Sequence, residues 1–299
     1  MKTYTPLMNN KKTNFKPVFI ACAFIAVTVI IIYLVCRHIN NNVVKNTKGK
    51  MLYTMEREDG HTLYMYDFKS RTNRYISDRE SDVLCACFYN EEAVLYVLCD
   101  DDEYYLCSYD IEKEETTEYS FDFEEDVIPV SLTASGKHIY LNYECEEVST
   151  VSEIEINDTS VTEKNIIVEA DWINEIAATG EYLYYIEDEN SIRRTSLEDG
   201  KTEKVYEAYA YIESLDVKDD GVLFVSVDDK IAYKYDMSEE KINVVCDALG
   251  DDITSCGFIY DEKYILGTEN LMYICNGSNY KPVDKIGENA GMYVLDYYE

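Results

Sequence analysis

The sequence predicts an all-β chain: a six-bladed β-propeller closed by its C-terminal strand and preceded by one transmembrane α-helix. Three observations carry that prediction. Beyond residue 50 the chain breaks into short runs such as HTLYMYD, AVLYVLCD, YYLCSYD, KHIYLNYE, EYLYYIED and GVLFVSVDD, separated by acidic or Gly-containing turns; alternation of this kind is the signature of strands. Apolar-aromatic positions that open the second strand of each unit, Leu52, Leu95, Ile139, Leu183, Leu223 and Tyr264, recur at steps of 43, 44, 44, 40 and 41. A period near 42 with four short strands per unit is that of a propeller. Finally, Val18 to Cys36 is a run of 19 residues without a charge, long enough to cross a ~30 Å hydrocarbon core as a helix.

Taken in order, residues 1–17 form a short tail carrying Lys2, Lys11, Lys12 and Lys16. The apolar stretch 18–36 is too long for a signal peptide, and apolar residues continue well past the Ala21-Cys22-Ala23 triplet, so it reads as an uncleaved anchor. Arg37, Lys45, Lys48 and Lys50 follow it, so the flanking charges tie under the positive-inside rule. The short tail and the large distal domain place the N-terminus in the cytoplasm and residues 51–299 outside the cell membrane. Residues 37–50, RHINNNVVKNTKGK, are a polar tether.

Of the 27 basic residues, 19 lie in 51–299 together with all 59 acidic ones, a formal charge of −40 for the distal domain. Such a domain excludes nucleic acid as a partner, because phosphate binding needs clustered Lys and Arg. Hydrophobic residues make up 46% of the chain, so it is not a disordered acidic tail. Tyr is 29 against Phe 9 and Trp 1, which suits half-buried strands.

The first strand of each unit also repeats, as Val83–Cys87, Ile173–Ile176, Ile212–Leu215 and Ile253–Cys256. The first unit has none before Leu52, and the last residues supply one, Met292-Tyr-Val-Leu295. The C-terminal strand is therefore expected to pair into the first blade and close the ring, removing open edges.

Residues 183–200, LYYIEDENSIRRTSLEDG, resemble the YWTD repeat of low-density-lipoprotein-receptor-type propellers, in which Tyr-Trp-Thr-Asp leads to Ile-x-Arg-x-x-Leu-Asp-Gly. Tyr184 and Tyr185 match the aromatic pair, and Ile192, Arg194, Leu197 and Gly200 match the rest. Asp199 matches after one inserted residue, Glu198, and Glu187 stands where the family has Asp. This blade alone is close. The resemblance implies a six-bladed extracellular binding module and carries over no partner.

In up-and-down blades alternate turns fall on opposite faces. The second-to-third and blade-to-blade turns hold 30 acidic residues against Arg57 and Arg79, whereas the remaining turns hold 15 against seven basic ones. The first face, called the top here, is expected to point away from the membrane. It is the candidate docking surface for a basic protein or other cationic ligand, with Asp100, Asp101 and Asp102 as its densest run, although acidic turns also serve solubility alone. Trp172, Tyr209 and Tyr211 fall in neighbouring top turns, where they form a binding platform or else pack between blades. Ca²⁺ is a possible ligand: Asp251 and Asp252 are weak candidates to hold it, without the spacing of a built loop.

No nucleophile elbow, P-loop, HExxH or dinucleotide fingerprint occurs. The three His, His38, His61 and His138, cannot cluster, and nothing in the sequence partners His61. The eight distal cysteines sit mid-strand beside small hydrophobes and read mostly as buried thiols. The reading that follows is a membrane-anchored extracytoplasmic binding module without catalysis. The alternatives are a Ca²⁺-dependent propeller hydrolase acting on a small extracellular substrate, and a structural subunit of a cell-envelope complex.

Overall fold

The computed structural model describes residues 28, 30, 31, 47–57, 60–78, 82–123, 126–219, 221–226, 230–247, 249, 251–260, 263–276, 279–283 and 292–298. The chain divides into two compact units, Met1–Asn42 and Val43–Glu299. In the first, Thr28, Ile30 and Ile31 are helical and exposed. The remainder of the span expected over 18–36, and the tail before it, lie outside the described residues. Among the described residues no helix is long and apolar enough to cross a membrane.

The second unit is all β. β1 (Lys50–Arg57), β2 (Gly60–Asp67) and β3 (Thr72–Tyr75) form a meander. β4 (Asp82–Phe88), β5 (Ala93–Asp100), β6 (Glu103–Asp110) and β7 (Glu115–Phe121) form the next. β8 (Ile128–Ser135), β9 (His138–Cys145), β10 (Val148–Ile156) and β11 (Ser160–Ala170) follow. Then come β12 (Ile173–Ala178), β13 (Tyr182–Glu187), β14 (Ser191–Ser196) and β15 (Thr202–Glu207). β16 (Ile212–Lys218), β17 (Gly221–Ser226), β18 (Ile231–Asp236) and β19 (Lys241–Cys246) make another, and β20 (Ile253–Phe258), β21 (Tyr264–Thr268), β22 (Met272–Asn276) and β23 (Asn279–Pro282) the last. β24 (Met292–Tyr298) returns to pair antiparallel with β1, from Lys50↔Tyr298 to Met55↔Met292. The C-terminal strand therefore supplies the strand that the first meander lacks.

Four of these sheets are separate and four-stranded; the second and third meanders are joined into one eight-stranded sheet. The join is a parallel contact of two residue pairs, Ser160↔Ser120 and Val161↔Phe121, between the outer strands β11 and β7. The join was not expected from sequence, and β8, which the four-strand period requires between the second and third meanders' turns, lacks the apolar run by which the other first strands repeat. Pro129 and a mostly small, polar run disguise β8, since Pro lacks the ladder N–H and is rare inside strands.

The apolar-aromatic pairs have a packing reason. Successive side chains of a strand point to opposite faces, and here both faces are buried against different neighbours. In β1, Met51, Tyr53 and Met55 enter one core with Ile265 and Ile274, while Leu52 enters another with Val94 and Tyr96. In β13, Leu183 and Tyr185 pack with Tyr140 and Val151, while Tyr184 and Ile186 pack with Val222 and Phe224. In β17, Leu223 and Val225 turn towards Leu266. Each second strand thus serves two inter-sheet cores and reads as a continuous apolar run.

The turns explain much of the acidity. Two-residue turns between second and third strands place both residues at positive φ: Asp101 (49°) and Asp102 (67°), Glu146 (48°) and Glu147 (70°). This backbone matches strand twist, and Asp tolerates it better than most residues. At the opposite end, Asp67, Asp110 and Asp236 repeat one device. The Asp67 carboxylate accepts the N–H groups of Lys69 and Ser70, that of Asp110 accepts those of Glu112 and Lys113, and that of Asp236 accepts those of Ser238 and Glu239. These are Asx-type turns.

Candidate functional site

The first strands of the meanders, β4, β8, β12, β16 and β20, together with β24, line one central cavity of about 460 Å³. Every one of these six strands carries a register shift, as between Ile212 and Ser214 or Ile253 and Ser255. A bulge re-aims side chains, and here it turns polar ones into the cavity.

Neighbouring strands are latched across the cavity wall. Leu215 N donates to Glu175 Oε2 at 2.6 Å, Phe258 N to Asp216 Oδ2 at 2.6 Å, and Phe88 N to Asp296 Oδ2 at 2.7 Å. Cys256 N donates to Ser214 Oγ at 3.1 Å and Val294 N to Ser255 Oγ at 2.8 Å. The second oxygens of Asp216 and Asp296 accept Val217 N and Tyr297 N, both at 2.7 Å. One acidic side chain thus tethers its own strand and the next.

Burial disfavours their charged forms. It pushes the Glu175 carboxyl up to about 8, with Asp216 and Glu213 adding repulsion. Asp296 rises to about 7, chiefly by burial and then by the charge of Asp216. Asp216 rises to about 6 by burial, against two backbone N–H donors. Glu213 is raised by burial alone. The Cys85 thiol is pushed up to about 12 by burial, and Cys87 and Cys256 are also raised. These thiols are protonated, weak nucleophiles.

At the end of the cavity where β15 leads into β16, the wall becomes aromatic. Tyr211 and Tyr293 line it, and the charge of Glu213 raises both phenols after burial does. The Tyr211 hydroxyl accepts from Asn174 Nδ2 at 3.2 Å, and its ring lies 6.5 Å from that of Trp172. Here too is His61, contrary to the expectation that it lacks a partner. Asp82 Oδ1 accepts its backbone N–H at 2.8 Å and stands 3.1 Å from Nδ1. The pairing is close because Gly60 precedes it; a Cβ there would sit 2.7 Å from the Asp82 Cβ.

Of the residues singled out from sequence, Trp172 and Tyr211 come together at this mouth, while Tyr209 projects fully into solvent. Asp100, Asp101 and Asp102 are exposed at the β5–β6 turn and do not line the cavity. Asp252 pairs with Lys230, and Asp251 is half-buried beside Tyr273, whose phenol its charge raises after burial does. His138 lies elsewhere, 2.7 Å from Glu153, which also pairs with Lys164. Among the described residues no three His, Cys, Asp or Glu side chains come together to hold a metal ion. Sequence reasoning missed Asp82, Glu175, Glu213, Asp216 and Asp296. The available signal was an acid inside an apolar strand, as in Leu215-Asp216-Val217 and Leu295-Asp296-Tyr297.

No family model matches the sequence. A comparison with curated proteins also finds no match. Among solved structures the chain is similar to TolB from Acinetobacter baumannii, with TM-score 0.64 and 12% identity over 83% of this chain and 67% of that one. It is similar to a chain of the nidogen/laminin complex, with TM-score 0.63 and 10% identity over 83% of this chain and 98% of that one. A third is virginiamycin B lyase from Staphylococcus aureus, with TM-score 0.53 and 12% identity over 78% and 83%. At such identities the likeness is one of fold, and it makes the distal unit a β-propeller in architecture.

Proposed function

We propose that this protein is a membrane-anchored, extracytoplasmic binding module, built as a six-bladed propeller that presents an acidic face to a protein partner and performs no chemistry. The blade count follows if the eight-stranded sheet is two blades touching through the two residue pairs of β7 and β11. The anchor rests on the uncharged run 18–36 and on the charge boundary near residue 50.

The observation that carries the reading is the composition of the central cavity. Five acidic side chains line it, from Asp82, Glu175, Glu213, Asp216 and Asp296, with Glu175 and Asp296 holding their protons up to about neutral pH, and among its described lining residues there is no Lys or Arg. A concave site with low-dielectric walls and charge of one sign focuses the field on a cation. The nidogen/laminin neighbour is a propeller-like chain in a protein complex, which agrees with a protein partner. The Ca²⁺-dependent hydrolase reading needs several convergent oxygen ligands, and the described residues do not gather them.

The test is affinity capture from the native envelope with the intact chain and with a variant carrying Asp100→Lys, Asp101→Lys and Asp102→Lys. Loss of a protein captured by the wild type supports docking through the acidic face. Unchanged capture removes that face from the reading. Protease accessibility of the distal domain in intact cells tests the orientation.

A further inference from the structure

The mouth of the central cavity has a composition that the binding-module reading does not by itself require. Glu213 is half-buried and, among the described residues, accepts no hydrogen bond; the acids deeper in the wall are committed to backbone N–H groups. Its charge reaches the phenols of both Tyr211 and Tyr293. Ser131 also lines the cavity. It is 9% exposed and its Oγ is a buried hydroxyl with no hydrogen-bond partner among the described residues. Buried polar atoms are almost always paired, so this hydroxyl adds an unpaired polar group to the cavity wall. A free carboxylate that shares a cavity wall with two tyrosines suits one chemistry in particular. The carboxylate neutralises an ammonium, and ring faces attract its N–H and N–CH₂ groups.

We propose, resting on the binding-module reading, that the cavity mouth is a site for an alkylammonium group, with Glu213 as its counter-ion and Tyr211 and Tyr293 as its walls. A cavity of about 460 Å³ admits a single extended amine such as a lysine side chain or a polyamine arm.

Titration calorimetry of the full-length chain tests this with Nα-acetyl-lysine methylamide, with spermidine, and with the neutral Nα,Nε-diacetyl-lysine methylamide. Binding of the first, at least tenfold weaker for the diacetyl analogue and at least tenfold weaker in Glu213→Gln, is the expected result. Tyr211→Leu should weaken it several-fold. Spermidine binding more tightly than the lysine derivative, with the same Glu213 dependence, supports the site and assigns it to a polyamine. The exposed run provides the control: Asp100→Asn, Asp101→Asn and Asp102→Asn together should change affinity less than twofold. Absence of amine binding overturns the proposal, and so does equal binding to Glu213→Gln or equal loss in the triple variant. A protein captured by the acidic face but indifferent to Glu213 and to free amines overturns this site alone and leaves the module standing. Amine binding that depends on Glu213, with no protein captured, does the reverse.

Discussion

Replacing Asp296 by Asn should invert its effect on stability between acid and neutral pH. Asp296 is held by Phe88 N and Tyr297 N, at 2.7 Å each. An amide offers one acceptor where the carboxyl offers two, so one bond is lost at every pH, costing about 1–3 kcal/mol. Against that, burial raises the Asp296 carboxyl to about 7, whereas an unfolded chain titrates Asp near 3.9. The folded state therefore holds the proton between those values and the unfolded state does not. Stability contributed by the protonated form is complete below about 3.9 and is lost as pH rises through about 7, and the loss reaches about 4 kcal/mol as an upper bound. Asn carries no such penalty. At pH 4.5 the variant should be less stable than wild type by about 1–3 kcal/mol; at pH 8 it should equal or exceed it. Urea unfolding followed by the fluorescence of Trp172 reads both. Comparing wild type and variant at the same pH cancels the general relief of acidic repulsion in acid. A stability difference that is the same at pH 4.5 and pH 8, or that moves the other way, would refute the account of Asp296 as a buried, proton-holding latch.

Other consequences can be checked in parallel. Burial alone would raise Glu153, but hydrogen bonds from Lys164, His138 and Asn165 overcome it and hold the carboxyl down at about 2. Its contribution is present above the unfolded value near 4.3 and lost towards pH 2. Lys164 and His138 are about half exposed, so screening trims the contribution to about 1 kcal/mol, and Glu153→Gln should lower the urea midpoint clearly at pH 7 and much less at pH 2.5. Leu52 is fully buried between two sheets, so Leu52→Ala should cost about 2–5 kcal/mol, read as a lower thermal midpoint. Of the eight cysteines from Cys85 to Cys275, Cys99 and Cys145 alone are partly exposed. A thiol reagent should therefore modify those two in the native domain, as mass spectrometry would show, and rapid reaction at Cys87 or Cys256 would contradict the packing.

What the sequence made legible was whatever repeats. The steps between Leu52, Leu95, Ile139, Leu183, Leu223 and Tyr264 locate the second strands because each must face two cores, and that demand leaves paired apolar residues wherever it occurs. Closure by residues 292–298 was readable for the same reason: the first unit lacked a strand and the last residues had one to spare. The candidate site was less readable because it repeats imperfectly. Glu175, Ser214, Ser255 and Ser131 occupy related places on successive inner strands, as do Asp216, Gly257 and Asp296, so no single residue type marks the wall. The His61–Asp82 contact joins residues 21 apart in a space that a side chain at Gly60 would fill, and no local spacing announces it. Trp172 and Tyr211 were noticed for being aromatic in turns, while Tyr293 in the closing strand escaped notice because it reads as one more strand tyrosine.

The acidity that dominates the composition then divides into parts with different causes. Asp67, Asp110 and Asp236 are acidic because their carboxylates bind turn N–H groups, and Asp101 and Asp102 occupy a left-handed backbone that Asp tolerates. Such residues keep the surface charged, yet their identities have local reasons. Asp216 and Asp296 lie inside strands, where a carboxylate costs free energy unless bonded, and their bonds run to the neighbouring strand. Glu213 fits neither class. It is buried enough to be raised and has no donor among the described residues to offset that. A net charge of −40 would attract cations diffusely over several faces, with an effect that fades beyond ~8 Å at physiological salt. An uncommitted carboxylate in the cavity wall, within electrostatic reach of two phenols, acts at contact distance on a bound ammonium, where salt screens it least. The two kinds of attraction separate by ionic strength: binding that survives 0.5 M NaCl belongs to the cavity mouth, and binding that vanishes belongs to the acidic turns.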